Sequence, residues 1–281
     1  MSDTVGFIAA IVTALGLGSY LVPMKRVRDY DPFYFQAVMC ITAFVTSVIF
    51  SLARGTFVFS PWAFLSGVLW SCGNILSVLA VGRTGLARAA PVWMGAVIIV
   101  SFLWGTLFFG EELSSLPAGI VGIIALILGI VLVSSTIEKG PSSSFRGIAL
   151  ALAAGAVFGS YLVPFNLSGL EPPDFLFPMS TGILAGGLII GLIKRPKIDA
   201  KIVLPGAFSG LIWNIANFAS FYTILILGMS VGYPLTQLAL FVSVLWGLLC
   251  FHEIEGRRKI ILLVAGGVVL FAGAVLLGLS M

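Results

Sequence analysis

Apolar runs long enough to cross a bilayer follow one another along the whole chain, separated by short clusters of charge, proline and glycine. A helix needs about 20 predominantly apolar residues to span a hydrocarbon core of roughly 30 Å. The breaks divide the chain into ten such segments, near residues 5–24, 33–53, 61–81, 86–109, 116–136, 146–165, 174–193, 202–226, 229–251 and 259–279. Of the 281 residues, 59% are hydrophobic and 9% charged, whereas soluble domains carry about 25% charged residues. That is too little charge to coat a water-facing surface. It excludes a soluble enzyme, a nucleic-acid binder and a disordered chain. The expected fold class is an all-α integral membrane protein of ten transmembrane helices, a multi-pass protein of the cell membrane. The lipid bilayer is its first partner.

Orientation follows from the basic residues. Loop clusters hold Lys25, Arg26 and Arg28; Arg83 and Arg88; Lys139 and Arg146; Lys194, Arg195, Lys197 and Lys201; and Arg257, Arg258 and Lys259. With ten spans these clusters all fall on one face, leaving Arg54 alone on the other. The positive-inside rule makes that face cytoplasmic and puts both termini outside. The net charge of +4 records this bias. The start, Met1-Ser2-Asp3-Thr4, has no basic region, and the apolar run behind it is too long for a signal peptide, so it reads as the first span.

The chain also repeats itself. Gly18-Ser19-Tyr20-Leu21-Val22-Pro23 recurs as Gly159-Ser160-Tyr161-Leu162-Val163-Pro164. Trp70 and Asn74 match Trp213 and Asn217, and Gly85 and Pro91 match Gly228 and Pro234. Trp104-Gly105 and Glu111 match Trp246-Gly247 and Glu253. All four matches fall in order at nearly constant offset, which marks a duplication joined near Glu138-Lys139-Gly140-Pro141-Ser142. Residues 1–140 form a first five-helix repeat and 141–281 a second. Five is odd, so the second must enter the membrane from the opposite face. Inverted repeats of this kind build alternating-access carriers, with the solute near the midplane between them.

Polar residues narrow the solute. All the acids fall in loops or at span ends, with none at a helix centre, where a charge costs about 2.5–3.5 kcal/mol on insertion scales. A cationic cargo would need such a carboxylate, so a neutral polar solute is expected. Glu111 and Glu253 read as solvated terminal acids, and Trp104 and Trp246 as interfacial belt residues. Cys40, Cys72 and Cys250 are spaced neither for a metal nor for a disulfide framework, and His252 is the single histidine, so no metal or cofactor is expected.

Mid-span, the chain offers amides and aromatics instead. Trp70 and Asn74 share a helical face, Trp213 and Asn214 precede Asn217, and Tyr233 stands four residues before Gln237. Amides donate and accept hydrogen bonds, which suits hydroxyls, and aromatic rings give a flat apolar wall. A sugar presents both characters. We therefore take Trp70, Asn74, Trp213, Asn214, Asn217, Tyr233 and Gln237 as candidate substrate-binding residues, with Asn74 and Asn217 facing each other across a central cavity. Tyr20 with Pro23, and Tyr161 with Pro164, stand near span ends where proline invites a bend, and are candidate gate residues. The small-residue patches at 182–186 and 206–210 read as helix-packing surfaces.

The ten-span arrangement resembles the drug/metabolite transporter superfamily. Within it, Gly210-Leu211-Ile212-Trp213-Asn214-Ile215-Ala216-Asn217, the stretch from Gly228 to Leu238, and Gly67-Val68-Leu69-Trp70 with Gly73-Asn74 resemble segments of the glucose/ribose uptake branch. The resemblance covers essentially the whole chain. It implies a sugar-like small-molecule solute, carried in that branch often together with protons. Export of amino acids or other metabolites, as in other branches, is the alternative.

Overall fold

The computed structural model describes residues 2–27, 29–84, 86–136, 144–251 and 256–281. Arg28, Gly85, the junction at 138–142, His252, Glu253 and Glu255 lie outside the described residues. Within them every regular element is helical. In chain order these are α1 (Asp3–Ser19), α2 (Pro32–Arg54), α3 (Pro61–Thr84), α4 (Leu86–Leu103), α5 (Leu116–Ser134) and α6 (Phe145–Ser160). There follow α7 (Val163–Ser168), α8 (Pro172–Lys194), α9 (Ala200–Leu227), α10 (Tyr233–Thr236), α11 (Ala239–Leu249) and α12 (Arg257–Gly278).

Local chemistry sets the starts and stops. Proline stands in the first turn of α2, α5 and α8, where its missing N–H leaves no bond unmade. Asp31, Ser115, Ser144 and Asp199 each accept a backbone N–H from the helix they open. Gly55 ends α2 at φ +68°.

Among the described residues, nine helical stretches are long and apolar enough to cross a membrane. Eight have 19–24 residues, and the ninth, Ala200–Leu249, has 50. That stretch contains sequence segment 202–226 and all but the last two residues of 229–251. It is interrupted at Gly228, which takes φ +72° and caps α9 through its N–H to the Ile224 carbonyl, followed by a π-turn over Gly228–Gly232. The protein is an all-α, multi-pass integral membrane protein.

Two side-chain contacts mark the ends of the bundle. At one end Arg54, the cation that stands apart from the basic clusters, forms a 2.7 Å ion pair with Asp174, joining the last turn of α2 to the first turn of α8. At the other end, called the basic end below, the Lys197 N–H donates to Asp31 at 3.2 Å, joining the loop after α8 to the start of α2.

The packing partners cross between the halves of the chain. α1 packs on α9 and α11, while α6 packs on α3 and α4. α2 lies against α8 and α9, α3 against α8, and α5 against α12. Small residues let these helices approach backbone to backbone, which is what drives association where lipid removes the hydrophobic incentive. A Cβ on Gly182 would lie 2.0 Å from the Phe64 carbonyl oxygen, and one on Gly67 would lie 2.1 Å from that of Met179. The patches at 182–186 and 206–210 thus pack as expected, the second against Val38, Met39 and Thr42 of α2. Large apolar side chains such as Ile11, Ile49, Leu192 and Val268 stay exposed on the outside, the face a bilayer would cover.

Candidate functional site

A cavity of about 590 Å³ opens between the α1–α9–α11 helices and the α3–α4–α6 helices. Its size suits a small solute. Trp70 of α3 and Trp213 of α9 stand in its wall with ring centroids 4.4 Å apart and planes inclined at 46°. Trp93 and Met94 come from α4, and Leu17 and Tyr20 from α1 and its C-terminal end. Polar groups come from Asn74, Thr236, Gln237 and Ser243. The Gln237 amide nitrogen donates to Thr236 Oγ1 at 2.9 Å, and that hydroxyl donates to the Tyr233 carbonyl at 2.7 Å. Leu21, Val22, Trp246, Gly247 and Phe251 line it towards the basic end.

Beyond the tryptophan pair, away from the basic end, the two helix groups are bonded together. Tyr161 Oη donates to Asn217 Oδ1 at 3.1 Å, and Tyr233 Oη donates to the Phe158 carbonyl at 2.6 Å. The two tyrosine rings meet edge to face at 6.0 Å. Behind them Phe165, Phe175 and Phe221 pack into a triangle with centroids 5.0–5.3 Å apart.

The binding candidates divide accordingly. Trp70, Asn74, Trp213, Tyr233 and Gln237 line the cavity. Asn214 and Asn217 are not among its lining residues. Asn214 turns to α2, where its amide nitrogen donates to the Ala43 carbonyl and to the hydroxyls of Thr46 and Ser47. Asn217 is held by Tyr161 through its oxygen and contacts Met179 Sδ at 3.6 Å through its nitrogen. The expected confrontation of Asn74 and Asn217 across open space is therefore replaced by one amide that lines the cavity with no partner among the described residues and one engaged amide. The reason is that the two ends of the cavity differ: one is open and the other sealed.

The gate candidates differ in the same way. Tyr20 lines the cavity, half-buried, and Pro23 sits in a 3-10 turn over Val22–Arg26. Tyr161 also reaches the cavity wall but is buried, as is Pro164, with α6 ending before Tyr161 and α7 beginning just ahead of Pro164.

Trp104 and Trp246, expected as belt residues, also make specific bonds. The Trp104 indole N–H donates to Ser160 Oγ at 2.9 Å, and the Trp246 indole N–H donates to Ser19 Oγ at 2.8 Å. Each tryptophan thus reaches the serine of the opposite half's Gly-Ser-Tyr-Leu-Val-Pro copy. One expectation is corrected outright: Glu111 is not a solvated terminal acid. Gly110, at φ +65°, turns the chain so that the carboxylate meets the Gly228–Gly232 turn. There it accepts from the Met229 N–H (2.8 Å), the Ser230 N–H (2.8 Å) and the Ser230 hydroxyl (2.5 Å). A Cβ on Gly105 or Gly228 would collide with it at 2.5–2.6 Å, so both glycines are needed to seat it.

Sequence reasoning passed over Trp93, Thr236, Ser243 and Phe158. Trp93 carried the clearest signal, a tryptophan inside an apolar span four residues from another cavity-lining position, Val97.

A helical membrane bundle with a solute-sized, mixed polar and aromatic cavity is the arrangement of a membrane transport protein. Comparison with known proteins gives the family. The chain belongs to the sugar transport protein family, whose model matches residues 8–280. It is similar to the glucose uptake protein GlcU of Bacillus subtilis, with 24% identity over 88% of this chain and 83% of that one. It is also similar to transmembrane protein 144 homolog A of Dictyostelium discoideum, with 23% identity over 98% of both chains. One solved crystal structure superposes with a TM-score of 0.74 at 19% identity over 96% of both chains, a likeness of fold alone. Membership places the chain among transporters, not enzymes.

Proposed function

We propose that the chain carries a sugar across the cell membrane by alternating access between two inverted five-helix repeats, and that the structure is its inward-open state. The observation that carries this reading is the chemistry of the cavity. Tryptophan faces at mid-span suit the CH faces of a pyranose, and Asn74, Gln237, Thr236 and Ser243 supply donors and acceptors for its hydroxyls. Among the described residues that line it there is no lysine, arginine, aspartate or glutamate. The names borne by the bacterial relatives, among them a putative sugar uptake protein of Listeria monocytogenes at 25% identity, support the same cargo.

Three observations support the architecture. A helix of 50 residues would be about 75 Å long, more than twice the bilayer core, which favours two crossings for Ala200–Leu249 and ten in all. The packing partners exchange under the repeat: α1 on α9 corresponds to α6 on α3, and α1 on α11 to α6 on α4. The paired bonds Trp104–Ser160 and Trp246–Ser19 exchange likewise. The basic end, by the positive-inside rule, faces the cytoplasm, and the cavity opens towards it.

Purified protein in liposomes tests the proposal. Labelled glucose should enter and equilibrate, with excess unlabelled sugar blocking it and alanine not. Entry of amino acids and exclusion of sugars would reject the cargo in favour of metabolite export. Running the same assay with and without an inward proton gradient decides whether protons travel with the solute.

A further inference from the structure

The two copies of Gly-Ser-Tyr-Leu-Val-Pro are in different conditions. Around the second copy a set of bonds is made. Tyr161 Oη donates to Asn217 Oδ1, bridging α6 and α9, and Ser66 Oγ of α3 donates to the Tyr161 carbonyl at 2.5 Å. Tyr161, Leu162 and Val163 are sealed at 6%, 0% and 7% exposure. The repeat offset carries Tyr161 onto Tyr20, Asn217 onto Asn74 and Ser66 onto Ser209. The last match is exact in its surroundings: Ser66-Gly67 and Ser209-Gly210 each precede a tryptophan, Trp70 or Trp213, by the same spacing.

Around the first copy none of these bonds is made. Tyr20 and Asn74 both line the cavity, and neither side chain has a hydrogen-bond partner among the described residues. Leu21, the mate of fully buried Leu162, is 39% exposed. Ser209 Oγ is fully buried and has no partner among the described residues. A buried hydroxyl left unpaired is costly and rare, and it calls for a partner that this conformation does not supply.

We propose that the two sets are alternative latches, and that the unmade one, Tyr20–Asn74 with Ser209, closes the inner end in the outward-open state. On closure Tyr20 Oη bonds the Asn74 amide, joining α1 to α3, and Ser209 Oγ takes up the Tyr20 carbonyl that α1 leaves free at its end. Tyr161 and Asn217 part at the same time. The two tyrosine–asparagine bonds exclude each other because each ties the α1–α9–α11 group to the α3–α4–α6 group at one end only, and a rocking motion about the cavity closes one end as it opens the other. Ser66 and Ser209 act within a group, fixing the end of the helix that carries each tyrosine. The orphaned Ser209 hydroxyl is the part of this device that the present state leaves waiting. The inference rests on the alternating access proposed above.

The test places a cysteine at Val22 or at its mate Val163, in a background with Cys40, Cys72 and Cys250 replaced. Labelling by an impermeant thiol reagent is timed from each side of proteoliposomes. Tyr20→Phe removes only the inner bond and should raise the ratio of Val22→Cys to Val163→Cys labelling about tenfold, the worth of one hydrogen bond. Tyr161→Phe should lower it by a similar factor. Ser209→Ala should act in the direction of Tyr20→Phe, and the double Tyr20→Phe/Tyr161→Phe variant should return towards the parent ratio. If Tyr20→Phe and Ser209→Ala leave the ratio unchanged while Tyr161→Phe shifts it, the first copy is no latch, and alternating access survives without it. If Val163→Cys stays unreactive from outside in every variant, with or without sugar, no outward-open state exists, and both readings fall together.

Discussion

Glu111→Gln is the sharpest single perturbation of this structure. The carboxylate satisfies two backbone N–H groups and one hydroxyl of the Gly228–Gly232 turn, at 2.8, 2.8 and 2.5 Å. The amide keeps one oxygen. Set on the Ser230 pair, it leaves an NH₂ facing the Met229 N–H, a donor against a donor on a residue with 0% exposure. An unpaired buried donor costs about 1–3 kcal/mol. The two bonds that remain lose their charge assistance, which roughly halves each. Discounted for water at the end of the bundle, the total is about 2–4 kcal/mol. Thermal unfolding in one detergent should show a midpoint roughly 5–10 °C below the parent. Glu112→Gln, at the exposed neighbouring position, is the control and should not move it. If Glu111→Gln falls no further than Glu112→Gln, the carboxylate holds nothing, and it is after all a solvated acid at a helix end.

Asn74→Ala and Gln237→Ala each take a polar partner from the cavity and should weaken sugar binding about 5- to 150-fold, equivalent to about 1–3 kcal/mol, measured on purified folded variants. Trp104→Phe and Trp246→Phe each delete one indole bond to the opposite half and should slow uptake by a few-fold to about tenfold, with equal rates to the parent counting against a role for these pairs. Gly182→Ala drives a methyl into the Phe64 carbonyl and should destabilise the α3–α8 contact by about 1–3 kcal/mol, read from the same unfolding assay.

The all-helical, membrane-spanning class was legible because it depends on composition alone. The cavity walls Trp70, Trp213 and Tyr233 were legible because large amphipathic rings have few places in a lipid-facing helix. What misled was state. Asn74 and Asn217 are equivalent as sequence, yet one lines open space and the other is bonded to Tyr161, because a symmetric chain occupies an asymmetric conformation. Asn214 misled for another reason: its neighbour Trp213 faces the cavity, and one step along a helix turns a side chain by about 100°. Glu111 was misread because its partners are backbone N–H groups more than a hundred residues away, which leave no mark in side-chain pattern.

The crossed packing of the halves bears on how such a chain can be made. Many proteins mature in order of synthesis, each early portion settling before the next emerges. Here α1 rests on α9 and α11, and α2 on α8 and α9, so these two helices find their neighbours only when the second half of the chain has arrived. Until then Gly16 and Gly18, shaped to receive Ala216 and Val242, face lipid without their mates. A ribosome stalled midway would leave not half a transporter but loose helices. The geometry is that of two partners who have traded arms, each half completed by helices of the other.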